Sequence, residues 1–263
     1  MQNQNPDEDL ATPSSGGAVW EKPAEKVALP EGEVHVWRSC LTFEPAQLQI
    51  LATLLCEEER ARHDHMAFQR NRDQFTAAHG LLRLLLGRYA ALAPEKLRFQ
   101  EGPNGKPYLK GEGADLCFNL SHADDLALLA VARRRELGVD VERISPGACD
   151  EELVARLFAA GEIRTLHSLP QQQRPAAFFR CWTRKEAFVK ALGRGLSLDL
   201  KAFEVSLAPD QPPTILYADG ANIDPEHWRM CDVDPGPSYT AALCCEGHGW
   251  TLRCWDWPQD WIR

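Results

Sequence analysis

Apolar positions along the chain change their spacing twice. VHVWR, Val34 to Arg38, suits a first strand. PAQLQILATLLCEEERARH then takes up helical spacing and predicts a helix broken within. RDQFTAAHGLLRLLLGRYAALA, Arg72 to Ala93, predicts the clearest helix of this region. Phe75, Leu81, Leu82, Leu85 and Tyr89 are its apolar residues, and Pro94 stops it. The text then turns strand-like. LRFQ precedes EGPNGKPYL, a turn crowded with Gly, Pro and Asn. LCFNLSH, LALLAVA and ELGVDVERI follow closely, joined by ADD and RRR, which predicts an antiparallel meander.

ISPGACD breaks that run, and helical spacing returns at about 151–160 and 175–193. The remainder is β-rich: FEVSL, TILYA, HWRMCDVD, YTAALCCEG and TLRCWDW. Helices then strands, twice over, predicts an α+β protein of two halves meeting near residues 133–150. The expected units are a tail over 1–30, a first half over 31–135 and a second over 136–263. The tail is rich in Gln, Asn, Pro, Ser, Gly and acid, so disorder is expected up to about residue 28.

Composition narrows the classes. The 263 residues are 44% hydrophobic and 25% charged, enough for a sizeable core. A net charge of −9 disfavours nucleic acid as a general partner. No apolar run is long enough to span a bilayer. The N-terminal text lacks the basic start and apolar centre of a signal peptide, so a cytoplasmic protein is expected. Nine cysteines, odd in number and scattered without a CxxC pair, fit buried free thiols in a reducing compartment.

Candidate chemistry starts with GVDVERI. In a strand, Asp140 and Glu142 face the same way, with Val139 and Val141 opposite. Two carboxylates that close need something positive between them. They could pair with arginines at a sheet edge, or share a metal. FFRCWTRKEAFVKALGRGL reads as a helix with Trp182, Glu186 and Lys190 on one face. Phe178, Phe179, Phe188, Val189 and Leu192 make the rest of it apolar, so Glu186 needs a partner, either Lys190 or a metal shared with Asp140 and Glu142. Three carboxylates without His or Cys favour a hard cation such as Mg²⁺, which usually takes few carboxylates plus phosphate oxygens. FNLSH places Ser121 and His122 at a strand end, and GPNGKPYL offers Lys106 from a rigid turn. Arg60, Arg62, Arg70 and Arg72 lie before the long helix; they suit a phosphate or a solvated face equally.

In this order GKPYL, FNLSH, GVDVERI, WTRKEAFVKALGRGLSL and VDPGPSYTAALCC resemble the 4′-phosphopantetheinyl transferases, over roughly residues 34–246. The match is nearest to the monomeric type serving peptide and polyketide synthases. The resemblance implies a pseudo-dimeric fold of two similar α+β halves with the active site between them. It implies coenzyme A as donor, Mg²⁺ (or Mn²⁺) as cofactor and an apo acyl or peptidyl carrier protein as acceptor, with 3′,5′-ADP released. Asp140, Glu142 and Glu186 match the metal-binding acids, and Glu186 also matches the proposed general base. Lys190 matches the lysine near the pyrophosphate, with Lys185 completing the pattern on the coenzyme side. Ser121, His122 and Lys106 match positions contacting the coenzyme A nucleotide. Arg60 and Arg62 are assigned to its 3′-phosphate, although Ala61 and Asp64 stand where the family often has basic residues.

Two other readings compete. A metal-dependent nuclease would usually carry its Glu and Lys two apart on a strand with a basic surface; here they are four apart on an apolar helix. A non-catalytic carrier-binding module of the same fold would have no reason to keep all three acids.

Overall fold

The computed structural model describes residues 19–25, 27–145, 147, 149–218 and 223–262. The first part of the chain runs β1 (Trp20–Glu21), β2 (Glu33–Cys40), α1 (Pro45–Leu54), α2 (Glu57–Asp64), α3 (Gln69–Ala90), β3 (Phe99–Glu101), β4 (Pro107–Leu109), β5 (Leu116–Ala123) and β6 (Leu126–Arg133). The second runs β7 (Leu137–Arg143), α4 (Glu151–Leu157), α5 (Ala160–Ser168), α6 (Arg174–Leu192), β8 (Phe203–Val205), β9 (Ile215–Ala218), β10 (Trp228–Val233), β11 (Tyr239–Glu246) and β12 (Thr251–Asp256). The architecture is α+β. Among the described residues no helix is long and apolar enough to cross a membrane.

Two sheets pack face to face between two helical layers. The larger has the order β1-β12-β2-β6-β5 and the smaller β10-β11-β7. Strand alternation sorts the side chains. Val34, Val36, Leu128 and Ala130 meet Val139, Val141, Ala241 and Leu243 between the sheets. Trp37, Leu129 and Val131 point the other way, onto Leu81 and Leu85 of α3. On the far side of the smaller sheet, Ala242 and Cys244 lie under Ala187, Phe188 and Ala191 of α6.

Most expected elements are found, with four differences. The expected meander ends after β6: β7 pairs antiparallel with β11, residues distant in sequence, because its valine face is buried against the larger sheet. Helix α5 was not expected, having only short apolar spacing through Ile163 and Leu166. The last strand, β12, joins the first sheet, parallel to β2. Of the tail expected to be disordered, residues 1–18 lie outside the described residues, while Trp20–Glu21 pairs with Cys254–Trp255. The break expected after PAQLQILATLL occurs at Leu55, which turns extended at ψ 138° and is buried.

Helix α6 reaches β7 because of one residue. Gly138, Asp140 and Glu142 share the strand face that α6 covers. A Cβ on Gly138 would stand 2.2 Å from the Ala187 carbonyl oxygen and 2.4 Å from the Ala191 nitrogen. Both are backbone atoms of the helix and cannot swing aside. Gly138 therefore sets the separation at which Lys190 meets Asp140. Gly138→Ala should cost about 1–3 kcal/mol through overpacking. Urea denaturation checks this; an unchanged midpoint would show that the helix can retreat freely.

Candidate active site at the joint between the sheets

Trp182, Glu186 and Lys190 form a half-buried stripe on an otherwise largely buried stretch of α6. The stripe faces the two acids of β7. Lys190 Nζ donates to Asp140 Oδ1 at 2.6 Å, to Ser121 Oγ at 3.0 Å and to the Val139 carbonyl at 3.3 Å. Ser121 Oγ donates to the same Asp140 Oδ1 at 2.9 Å. Trp182 Nε1 donates to Glu142 Oε1 at 3.1 Å. Asp140, Glu142, Glu186, Lys190 and Ser121 are thus brought together by two strands and one helix.

The electrostatics are unbalanced. Burial pushes the Asp140 carboxyl above its ordinary range, against the opposing pull of Lys190. Glu142 is raised by burial and then by the Asp140 charge, and Glu186 likewise, with Lys190 opposing. Asp140 Oδ2 is buried without a hydrogen-bond partner. An orphaned buried acceptor calls for an explanation, and an ion bound here would supply one. With Glu142 and Glu186 beside it, the oxygen donor set suits a hard divalent cation. Among the described residues no three His, Cys, Asp or Glu side chains form a ready-made cage. A cation held here would therefore keep oxygen ligands from water or substrate, as Mg²⁺ commonly does.

Beside the acids opens a cleft of about 620 Å³, lined by His122, Ala123, Asp124, Glu142, Arg143, Ile144, Ser145 and Phe179. Burial lowers the His122 pKa, with further repulsion from His79 and Lys190. His79 was not singled out in the sequence. Its ring stacks on Phe75 with centroids 4.0 Å apart, and the Arg62 guanidinium stands 5.7 Å over that same ring. The four-residue spacing of Phe75 and His79 on a helix was the available signal. Arg60 instead turns its guanidinium onto the Leu55 carbonyl at the end of α1.

Two expected coenzyme ligands are engaged by protein groups in the structure. Lys185 is fully buried, on another face of α6. Its Nζ donates to Glu162 Oε1 at 2.7 Å and to the carbonyls of Leu200 and Phe203 at 2.8 and 2.7 Å. Glu162 in turn accepts from the Val205 and Ala159 N–H groups at 2.8 Å each. Lys106 Nζ donates to Glu136 at 2.6 Å and to the carbonyls of Leu137 and Ala191 at 3.0 Å each. An ammonium has three donors, so both lysines are saturated by protein. Neighbouring in sequence is not neighbouring in space: one helical step separates Lys185 from Glu186 by about 100°. All nine cysteines are free, four of them buried.

Lys185→Met should lower stability by about 3–5 kcal/mol, since it strands the Glu162 carboxylate in the core. Chemical denaturation measures that loss. A variant of normal stability with a raised KM for the donor would instead restore Lys185 to the site.

Comparison with known proteins adds the family. Residues 136–244 match the 4′-phosphopantetheinyl transferase superfamily, and residues 41–134 match the description 4′-phosphopantetheinyl transferase, N-terminal. The chain is 36% identical to the 4′-phosphopantetheinyl transferase HetI of Nostoc sp., over 90% of this chain and 98% of that protein. It is 31% identical to the 4′-phosphopantetheinyl transferase psf-1 of Bacillus pumilus, over 75% and 82% of the two chains. It is 30% identical to the 4′-phosphopantetheinyl transferase Sfp of Bacillus subtilis, over 68% and 74%. Similarity over nearly the whole of a related chain, together with two matches that adjoin at the joint carrying the acids, means that the chain belongs to the 4′-phosphopantetheinyl transferases.

Proposed function

We propose that the chain moves 4′-phosphopantetheine from coenzyme A to a serine of an apo acyl or peptidyl carrier protein, releasing 3′,5′-ADP. The observation that carries this reading is the Asp140–Ser121–Lys190 cluster with one carboxylate oxygen orphaned, set beside an open cleft. Phosphoryl transfer needs positioning and charge neutralisation more than covalent catalysis, and these residues supply both. The protein is read as cytoplasmic, and as a monomer since one chain already furnishes both sides of the joint.

The serine oxygen bonds to the phosphorus bearing the pantetheine arm, and the bond from that phosphorus to the oxygen of 3′,5′-ADP breaks. Glu186, directly or through a water, accepts the serine proton. Lys190 stands beside the departing 5′-phosphate of 3′,5′-ADP, and its longest bond, 3.3 Å to Val139, is the one a phosphate oxygen would replace. Ser121 and Lys190 hold Asp140 Oδ1 while Trp182 holds Glu142. Asp140, Glu142 and Glu186 would hold Mg²⁺. When bound, the ion neutralises charge on the coenzyme A pyrophosphate. His122, whose buried ring favours the neutral form, and Arg62 are our candidates for contacts to the nucleotide end.

Incubating the chain with an apo carrier protein, coenzyme A and Mg²⁺ should add one phosphopantetheine, read by intact mass. No addition across a panel of acyl and peptidyl carriers, metal present, would sink this reading. Glu186→Gln should lower kcat by about 10²–10⁴-fold, the usual share of a general base. The base must be deprotonated to act, so rate should rise with pH along an acid limb that Glu186→Gln removes. An acid limb left unchanged in Glu186→Gln would argue against Glu186 as the base.

A further inference from the structure

Strand β7 pairs with β11 along one edge only. Its other edge faces β5, which is itself paired only with β6. No ladder joins β5 to β7 among the described residues. Side chains take over that task. Asn119 Oδ1 accepts from the Val139 N–H at 2.9 Å, while Lys190 Nζ donates to the Val139 carbonyl at 3.3 Å. Two residues earlier, Lys106 Nζ donates to the Leu137 carbonyl at 3.0 Å. Both peptide groups of the residue just before Asp140 are therefore held by side chains.

Asn119 and Ser121 are i and i+2 on β5, so they share a face. Ser121 grips the Asp140 carboxylate and Asn119 grips the backbone that carries it. Asn119 is 8% exposed and Asp140 4%, so water cannot readily replace the amide. Of the two side chains on Val139, Lys190 is the one expected to turn to a phosphate during turnover. Asn119 is then the side chain that still holds the Val139 peptide.

We infer that Asn119 is a positioning residue for the transfer reaction: its amide stands in for the missing rung between β5 and β7 and fixes where Asp140 presents its free oxygen. This rests on the function proposed above. The effect reaches the chemistry only through Asp140. Loss of the amide lets β7 shift against β5, and the acid cluster loosens.

The test compares Asn119→Leu, similar in volume but without an acceptor, with the wild-type chain. Mn²⁺ is the probe, titrated by electron paramagnetic resonance with neither coenzyme A nor carrier present. In the folded variant Mn²⁺ should bind about tenfold more weakly and kcat should fall by about tenfold or more, the range seen when a ligand's support is removed. KM for coenzyme A should stay within about twofold, because the nucleotide contacts are untouched. The Val139 amide should also exchange its hydrogen faster. A folded variant with wild-type Mn²⁺ affinity and kcat overturns the proposal. Should the leucine prevent folding, Asn119→Ser, whose hydroxyl is too short to reach the amide, is read in the same way. A wild-type chain that transfers nothing, yet whose Mn²⁺ affinity still depends on Asn119, would sink the function reading and leave the positioning role standing.

Discussion

One open strand edge governs this molecule. Strand β7 must bury its valines between two sheets, yet it has a ladder partner on one side only. Backbone polar groups left unpaired in such a place each cost about 1–3 kcal/mol. The chain answers with side chains: Lys106 from the β3–β4 turn, Asn119 from β5 and Lys190 from α6. Those three residues come from three different elements, so satisfying the edge also locks the two halves together. The site is a by-product of that lock. Asp140, next along the strand, is the acid that the same lysine reaches.

Helix α6 carries two lysine–acid pairs, one fully buried and one half-buried, and their difference separates structure from chemistry. Lys185 and Glu162 satisfy one another and every neighbour: the ammonium has three acceptors, and both carboxylate oxygens accept backbone N–H groups. Nothing there is left to bind. Lys190 and Asp140, just over one turn away, leave Oδ2 without a partner and two more carboxylates close by. A buried network only partly satisfied is unfavourable for stability. Its persistence makes sense where a cation and a pyrophosphate are to complete it.

Much of the site was legible because its chemistry follows local periods. Spacing of two on a strand put Asp140 and Glu142 on one face, and spacing of four on a helix aligned Trp182, Glu186 and Lys190. Both hold in three dimensions. The protein partners of Lys106 and Lys185 lie 30, 31 and 85 residues away for the first and 15, 18 and 23 for the second. No local pattern announces such partners. The role of Asn119 is hidden for the same reason: an amide becomes structural only once a strand edge lies beside it.

The sequence by itself determined the alternation of helical and strand periods, the pairing of acids on one strand face and the Trp182–Glu186–Lys190 stripe that faces them. These depend on backbone geometry repeated every few residues, which any stretch of chain carries with it. Tertiary structure decided that β7 would pair with β11 rather than β6, that β12 would return to the first sheet, and which of four lysine and serine side chains would meet Asp140. Those choices turn on which buried polar groups find partners and on how closely two backbones can approach. At Gly138 that approach is close enough to exclude a single carbon atom.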